Sequence, residues 1–201
     1  MSVDLAPRFS EREWLDDPGF EIWTNGTTPT FWTPTGVVTV AQETTEKFAG
    51  ANSCKATRSD GATFGSVVSR EFNLTFNAWF YIGMRAKGTV AISSAVRLLF
   101  RNIRTGLSWD EAAQAWIASG SVYRDSITFD YALAGAWIQI DGRNHLPTDT
   151  FRMDLAGYWT AAESLFYDAA TLFGPFAKPI AQVGLAPLTY HGEGFRRGAF
   201  H

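Results

Sequence analysis

The chain has 201 residues, with Lys+Arg 17 against Asp+Glu 20 and a formal net charge of -3, and no basic stripe runs along it, which excludes a nucleic-acid footprint. No apolar run reaches the roughly 18 residues that a membrane span needs, and the opening segment lacks the basic start and apolar middle of a signal peptide, so a soluble protein made in a cytoplasm is expected. A single cysteine, Cys54, excludes an internal disulfide framework, while 15% aromatics and 18 glycines suit one β-rich domain rather than a helical bundle.

Residues 1–17 read as an N-terminal arm. Ser10-Glu11-Arg12-Glu13 fits a capping box and predicts one or two helical turns through Trp14 and Leu15, ended by Asp17-Pro18-Gly19. From Phe20 onward, short β-like runs alternate with turn residues, as in Val37–Thr44 and Asn52–Ser59. The run from Phe76 to Ala86 places Phe76, Ala78, Phe80, Ile82 and Met84 on one face and Asn77, Trp79, Tyr81 and Arg85 on the other, the period of two of a half-buried strand. Residues 95–102 repeat this, with Val96, Leu98 and Phe100 inward and Arg97 and Arg101 outward. Residues 151–159 do so again, with Phe151, Met153 and Leu155 opposite Arg152 and Asp154. Between these runs, residues 101–119 read as two successive hairpins that set Trp109 and Trp116 opposite each other across a ladder. After Gly174 the pattern dissolves into proline- and glycine-rich sequence, an extended C-terminal tail over 175–201. The predicted fold is all-β: an antiparallel β-sandwich of the jelly-roll type over 18–174, with a short helical arm before it and the tail after it.

Catalytic machinery is hard to assemble from these residues. His145, His191 and His201 lie apart and outside any ligand spacing, and the adjacent carboxylates Asp16-Asp17 and Asp110-Glu111 fall in turns that face solvent. No phosphate-binding glycine loop or aspartate-rich calcium loop is present. The expectation is that the protein is not an enzyme.

One residue breaks the strand pattern. Asp168 interrupts the apolar run of "ESLFYDAATLFG", and a carboxylate buried alone costs several kcal/mol or becomes protonated. A cation, an Arg or Lys partner, or exposure on a sheet edge would each remove that cost. Glu21 in "DPGFEIW" is a candidate companion, because the first and last strands of an antiparallel sandwich tend to meet, and two carboxylates plus backbone carbonyls are an oxygen set that suits Ca²⁺.

Taken in order, "DDPGFEIWTNGTTPTFWTPTGVVTV", "GANSCKATRSD" and "ESLFYDAATL" resemble the jelly-roll carbohydrate-binding modules of families four, nine and twenty-two, over Asp17 to Phe173. The resemblance implies a structural calcium between Glu21 and Asp168, with a backbone carbonyl near Lys55. Two departures stand against it: Pro-Gly replaces the usual Asn-Pro, and Ala169 occupies the place of a second aspartate. The hairpin "RTGLSWDEAAQAWIAS" is similar to a segment of such jelly rolls on bacteriophage virions.

The resemblance implies a virion structural protein: a decoration, head-fibre or tail-surface subunit whose terminal arms contact other virion proteins and sister subunits in a homo-oligomer. The alternative is a stand-alone carbohydrate-binding module or lectin that takes a cell-surface glycan. Sugar sites need flat aromatics and a few fixed polar groups. Trp79, Tyr81, Arg97 and Arg101, on outward faces of strands expected to be neighbours, and Trp109 and Trp116, on an exposed hairpin, are the carbohydrate-binding candidates. Packing under a loop or against another subunit would explain the same aromatics.

Overall fold

Alternating apolar and polar residues, broken by turns, fold this chain into two antiparallel sheets that bury their apolar faces against each other. The computed structural model describes residues 12–59, 65–75, 77–89, 96–124, 130–143, 145–157 and 164–176. In chain order the strands are β1 (Arg12–Glu13), β2 (Trp23–Asn25), β3 (Thr28–Pro29), β4 (Trp32–Gly36), β5 (Val38–Glu43), β6 (Ser53–Arg58), β7 (Gly65–Ser69) and β8 (Phe72–Thr75). They continue with β9 (Ala78–Gly88), β10 (Val96–Asn102), β11 (Ser108–Asp110), β12 (Ala115–Ile117), β13 (Val122–Arg124), β14 (Ala132–Ile140), β15 (Thr148–Gly157) and β16 (Ser164–Phe176).

The first sheet runs β14-β9-β16-β6-β5, with β1 added on β16, and the second runs β12-β11-β10-β15-β7-β4, with β13 on β10 and β8 on β15. β2 and β3 form a small ribbon of their own. Of the predicted inward residues, Phe80, Ile82, Met84, Val96, Leu98, Phe100, Phe151, Met153 and Leu155 are fully buried and Ala78 is buried, while Phe76 lies outside the described residues. Phe100 stacks on Phe151 with ring centroids 5.3 Å apart and planes at 7°, so neighbouring strands of the second sheet interlock through their rings. Burying each such side chain contributes about 1.5–3 kcal/mol.

The chain's start differs from expectation. No helix occurs among the described residues; Arg12 and Glu13 pair with Gly174 and Phe173 of β16, while Ser10 lies outside the described residues. The reason is where the Glu13 carboxylate finds donors. Its Oε1 accepts from the backbone N–H groups of Trp14, Leu15 and Leu172, and its Oε2 accepts from the Thr171 hydroxyl at 2.6 Å. Two of those four donors belong to β16, so an extended arm on the sheet satisfies the carboxylate better than a single helical turn. The Trp14 indole N–H donates to the Gly174 carbonyl at 3.0 Å and fixes the arm further.

The start and the last strand thus pair, but β16 is a central strand between β9 and β6 rather than a closing edge. It also continues through Pro175 and Phe176, past the expected start of the tail, and residues 177–201 lie outside the described residues.

Candidate functional site

The residues expected to form one sugar site are divided among three places. Trp79 and Tyr81 lie on β9, on the outer face of the first sheet. Arg97 and Arg101 lie on β10, in the second sheet, so they occupy the opposite side of the sandwich. The three long strands share the same alternation, but the alternation does not say which sheet each joins. Trp109 and Trp116 are registered opposite each other, as expected, yet they are 4% and 7% exposed. Trp116 packs against Phe100, Phe151 and His145, and its indole N–H donates to the Gln139 carbonyl at 2.9 Å. Both tryptophans close one end of the core, because the hairpin curls over it, and neither can stack on a sugar.

The outer face of the first sheet carries a different aromatic set. Tyr81 lies opposite both Trp137 of β14 and Phe173 of β16, and Trp79 lies opposite Phe176. Tyr81 meets Trp137 edge-on at 5.5 Å, Trp137 meets Phe176 at 5.1 Å, and Phe176 meets Phe173 at 5.6 Å. Trp79, Tyr81, Trp137 and Phe173 are all half-buried.

Gly83 and Gly135 face each other across β9 and β14, directly beside this cluster. A Cβ on Gly135 would stand 2.4 Å from the Tyr81 hydroxyl oxygen, and one on Gly83 would stand 3.2 Å from a Tyr81 ring carbon. The phenol ring therefore lies across both glycines, which leave the room that any side chain would take. The alternation Leu133, Gly135, Trp137, Gln139 carried the signal for Trp137. What it could not carry is the pairing of Gly135 with Gly83.

The same face is closed at its other end by the 44–52 loop, and Asp168 is the anchor of that loop. Its side chain is fully buried. Oδ2 accepts from the N–H groups of Phe48 (2.7 Å) and Ala49 (3.0 Å), and Oδ1 accepts from Ala169 N–H at 2.6 Å. A bulge aims it there: Asp168 and Thr171 are three positions apart, but their partners Arg85 and Gly83 are only two apart, and Ala169 takes φ 45. Glu21 holds the next part of the loop, accepting from Ala51 N–H at 2.9 Å and from the Asn52 side-chain amide at 3.1 Å. Between them Gly50 adopts φ +65, and a Cβ there would stand 1.7 Å from Glu21 Oε1.

The two carboxylates suit a hard cation in part. Burial, with a smaller push from the Glu21 charge, raises the Asp168 pKa to about 6 even against three amide donors, so negative charge is under-compensated there. Asp168 Oδ2 already has two donors, whereas the other three carboxylate oxygens have one each and keep a lone pair. Among the described residues no group of three or more His, Cys, Asp or Glu forms a metal cluster, so the balance of a six- to eight-oxygen shell would come from carbonyls and water. The Glu46 carbonyl is already taken by the Ser53 and Tyr131 hydroxyls.

The sequence matches no family model and no curated protein significantly. Solved structures share its fold. An arabinose-bound α-L-arabinofuranosidase aligns over 80% of this chain with a TM-score of 0.57 and 11% identity, and this chain spans 26% of that protein. A xylan-binding domain of carbohydrate-binding family 22 aligns over 81% of this chain and 94% of its own length, with a TM-score of 0.51 and 10% identity. A Stig cyclase, Fisc from Fischerella sp. TAU, aligns over 83% and 99%, with a TM-score of 0.57 and 9% identity. The chain thus has the jelly-roll β-sandwich of carbohydrate-binding modules. Because that fold also serves a cyclase, function has to be argued from the site.

Proposed function

We propose that this is a glycan-binding domain, and that its binding face is the outer surface of the first sheet around Tyr81 and Trp137. The observation that carries the reading is the Tyr81 ring laid across Gly83 and Gly135: sugar C–H faces stack on flat, partly exposed rings, and this ring is held in place by its edge-on contact with Trp137. Gln139 and Trp79, registered opposite each other, extend the same face. Binding rather than catalysis fits the chemistry: Glu13, beside the face through Thr171, accepts from the Thr171 hydroxyl and the Leu172 amide, and Asp168 and Glu46 are occupied by amide donors and by Lys87 respectively.

Glu21 and Asp168 are further proposed to hold a structural Ca²⁺. The ion would supply positive charge to two carboxylates that together fasten residues 48–52. As a finer reading, we further propose a bacteriophage virion structural protein, a decoration, head-fibre or tail-surface subunit, on the likeness of the hairpin sequence from Arg104 to Ser119 to a segment of such virion jelly rolls. Titration calorimetry against soluble xylans, galactans and bacterial surface polysaccharides tests the main reading. Binding by the natural protein that Tyr81→Ala and Trp137→Ala abolish, with folding intact, is the expected result; no binding to any of these glycans would sink it. Antibody labelling of purified virions would test the finer reading.

A further inference from the structure

A second concave site lies away from the Tyr81 face, where the two sheets open at the chain's start. It is a cleft of about 150 Å³ walled by Trp14, Phe31 and Phe72 and rimmed by Asp16, Arg70 and Glu71. Trp32, only 2% exposed, lines its depth. The walls come from distant parts of the sequence: the arm after β1, the turn before β4, and the β7–β8 turn. They are held together by the Trp14 indole bond to Gly174, the Trp32 indole bond to the Asp17 carbonyl, and the bond from Arg70 N–H to the Phe31 carbonyl. The cleft is therefore a built feature of the fold.

Size and chemistry narrow the occupant. A cavity of about 150 Å³ holds one six-membered ring, and it is below the roughly 300 Å³ at which sites for larger ligands begin. The aromatic walls are partly exposed; the Arg12 guanidinium lies 3.8 Å over the Trp14 ring and Phe72 stacks on Phe100, so C–H contact falls to ring edges and to the faces left uncovered. The rim offers both acceptors and a donor: Asp16, Arg70 and Glu71 are exposed and form no ion pair with one another, while the Arg70 guanidinium rests 4.5 Å above the Phe31 ring. A polyhydroxylated ring uses apolar walls, acceptors and donors at once; an apolar aromatic side chain would use only the walls.

We propose that this cleft binds the terminal pyranose ring of a glycan chain end-on, so that the protein recognises a chain end as well as a chain face. The inference rests on the same ligand class as the Tyr81 face but on a different set of residues, and it can fail alone. A terminal residue has chain leaving on one side only, so its ring can seat in a cleft of single-ring size while the rest of the glycan stays outside.

The test is an amide-resolved NMR titration of the full chain with D-glucose, D-galactose and D-xylose, with N-acetyl-phenylalanine amide as the aromatic control and a xylo- or galacto-oligosaccharide as the probe of the face. The expected result is that at least one monosaccharide shifts the amides of Phe31, Arg70 and Glu71 with millimolar affinity. Those shifts persist in Trp137→Ala and weaken about tenfold or more in Phe31→Ala. Arg70→Ala, an exposed substitution, gives the same loss should Phe31→Ala fail to fold. The inference is overturned if the monosaccharides leave these amides unmoved, if only the aromatic control moves them, or if the shifts survive both cleft substitutions. Oligosaccharide shifts confined to β9 and β14 would overturn the cleft and leave the Tyr81 face standing; no shift with any sugar would overturn both.

Discussion

Lowering the pH should stabilise this protein through Asp168, the reverse of ordinary acid denaturation. A carboxyl whose folded pKa is raised binds its proton more tightly in the native state. Its contribution is therefore fully present below the unfolded value of 3.8 and is lost as the pH rises through about 6. The interval is about 2 pH units, and at about 1.36 kcal/mol per unit the effect is about 3 kcal/mol. That is a large part of the 5–15 kcal/mol by which domains are typically stable, so urea midpoints can resolve it. The measurement is urea unfolding at stepped pH in chelator, comparing the natural protein with Asp168→Asn. His145 acts in the opposite sense. Burial depresses its pKa, so its contribution is present above 6.5 and is lost as the pH falls through the folded value. His145 is bonded to the Asp141 carbonyl and shares no partner with Asp168, so its effect cancels in the difference between the two proteins. The stability of the natural protein relative to Asp168→Asn should fall by about 3 kcal/mol from acid to neutral pH, and calcium added to the natural protein should flatten that fall. Parallel curves for the two proteins would refute the account of Asp168.

Three further outcomes follow from particular contacts. Gly135→Ala places a methyl group 2.4 Å from the Tyr81 hydroxyl, so the ring must move; glycan affinity should fall about tenfold while the unfolding midpoint moves little, as read by calorimetry and thermal melts. Trp116→Ala should cost about 3–5 kcal/mol, because it empties a buried site between Phe100, Phe151 and His145, and any folded fraction should keep its glycan affinity. Glu13→Ala should cost roughly 1–3 kcal/mol by stranding the Leu172 amide, and hydrogen exchange should accelerate at Leu172 and Leu15 with little change at β10.

Much of the sheet pattern was legible because a strand exposes its alternation directly. Phe80, Ile82 and Met84 had to point one way and Trp79 and Tyr81 the other, whatever sheet they joined. Trp109 and Trp116 show the limit. Their register was readable from the two turns flanking them, but their burial depends on the curl of β11 and β12 over Phe100 and Phe151, which residues local to the hairpin do not encode. The arm misled for a related reason: the acidic residue that would cap a helix is the one that binds Thr171 and Leu172 more than 150 positions away.

The sequence by itself determined that this protein is a β-sandwich, where its strands alternate, and that Asp168 needed compensation, since these follow from local periodicity and the cost of burying a charge. Only the tertiary structure decided which faces lie together. It split Tyr81 from Arg97, joined Tyr81 to Trp137 over two glycines, and met Asp168 with the amides of Phe48, Ala49 and Ala169 in the middle of a sheet. Strand order and register are set by long-range packing of the whole core, and a period of two along one strand carries no information about its neighbour.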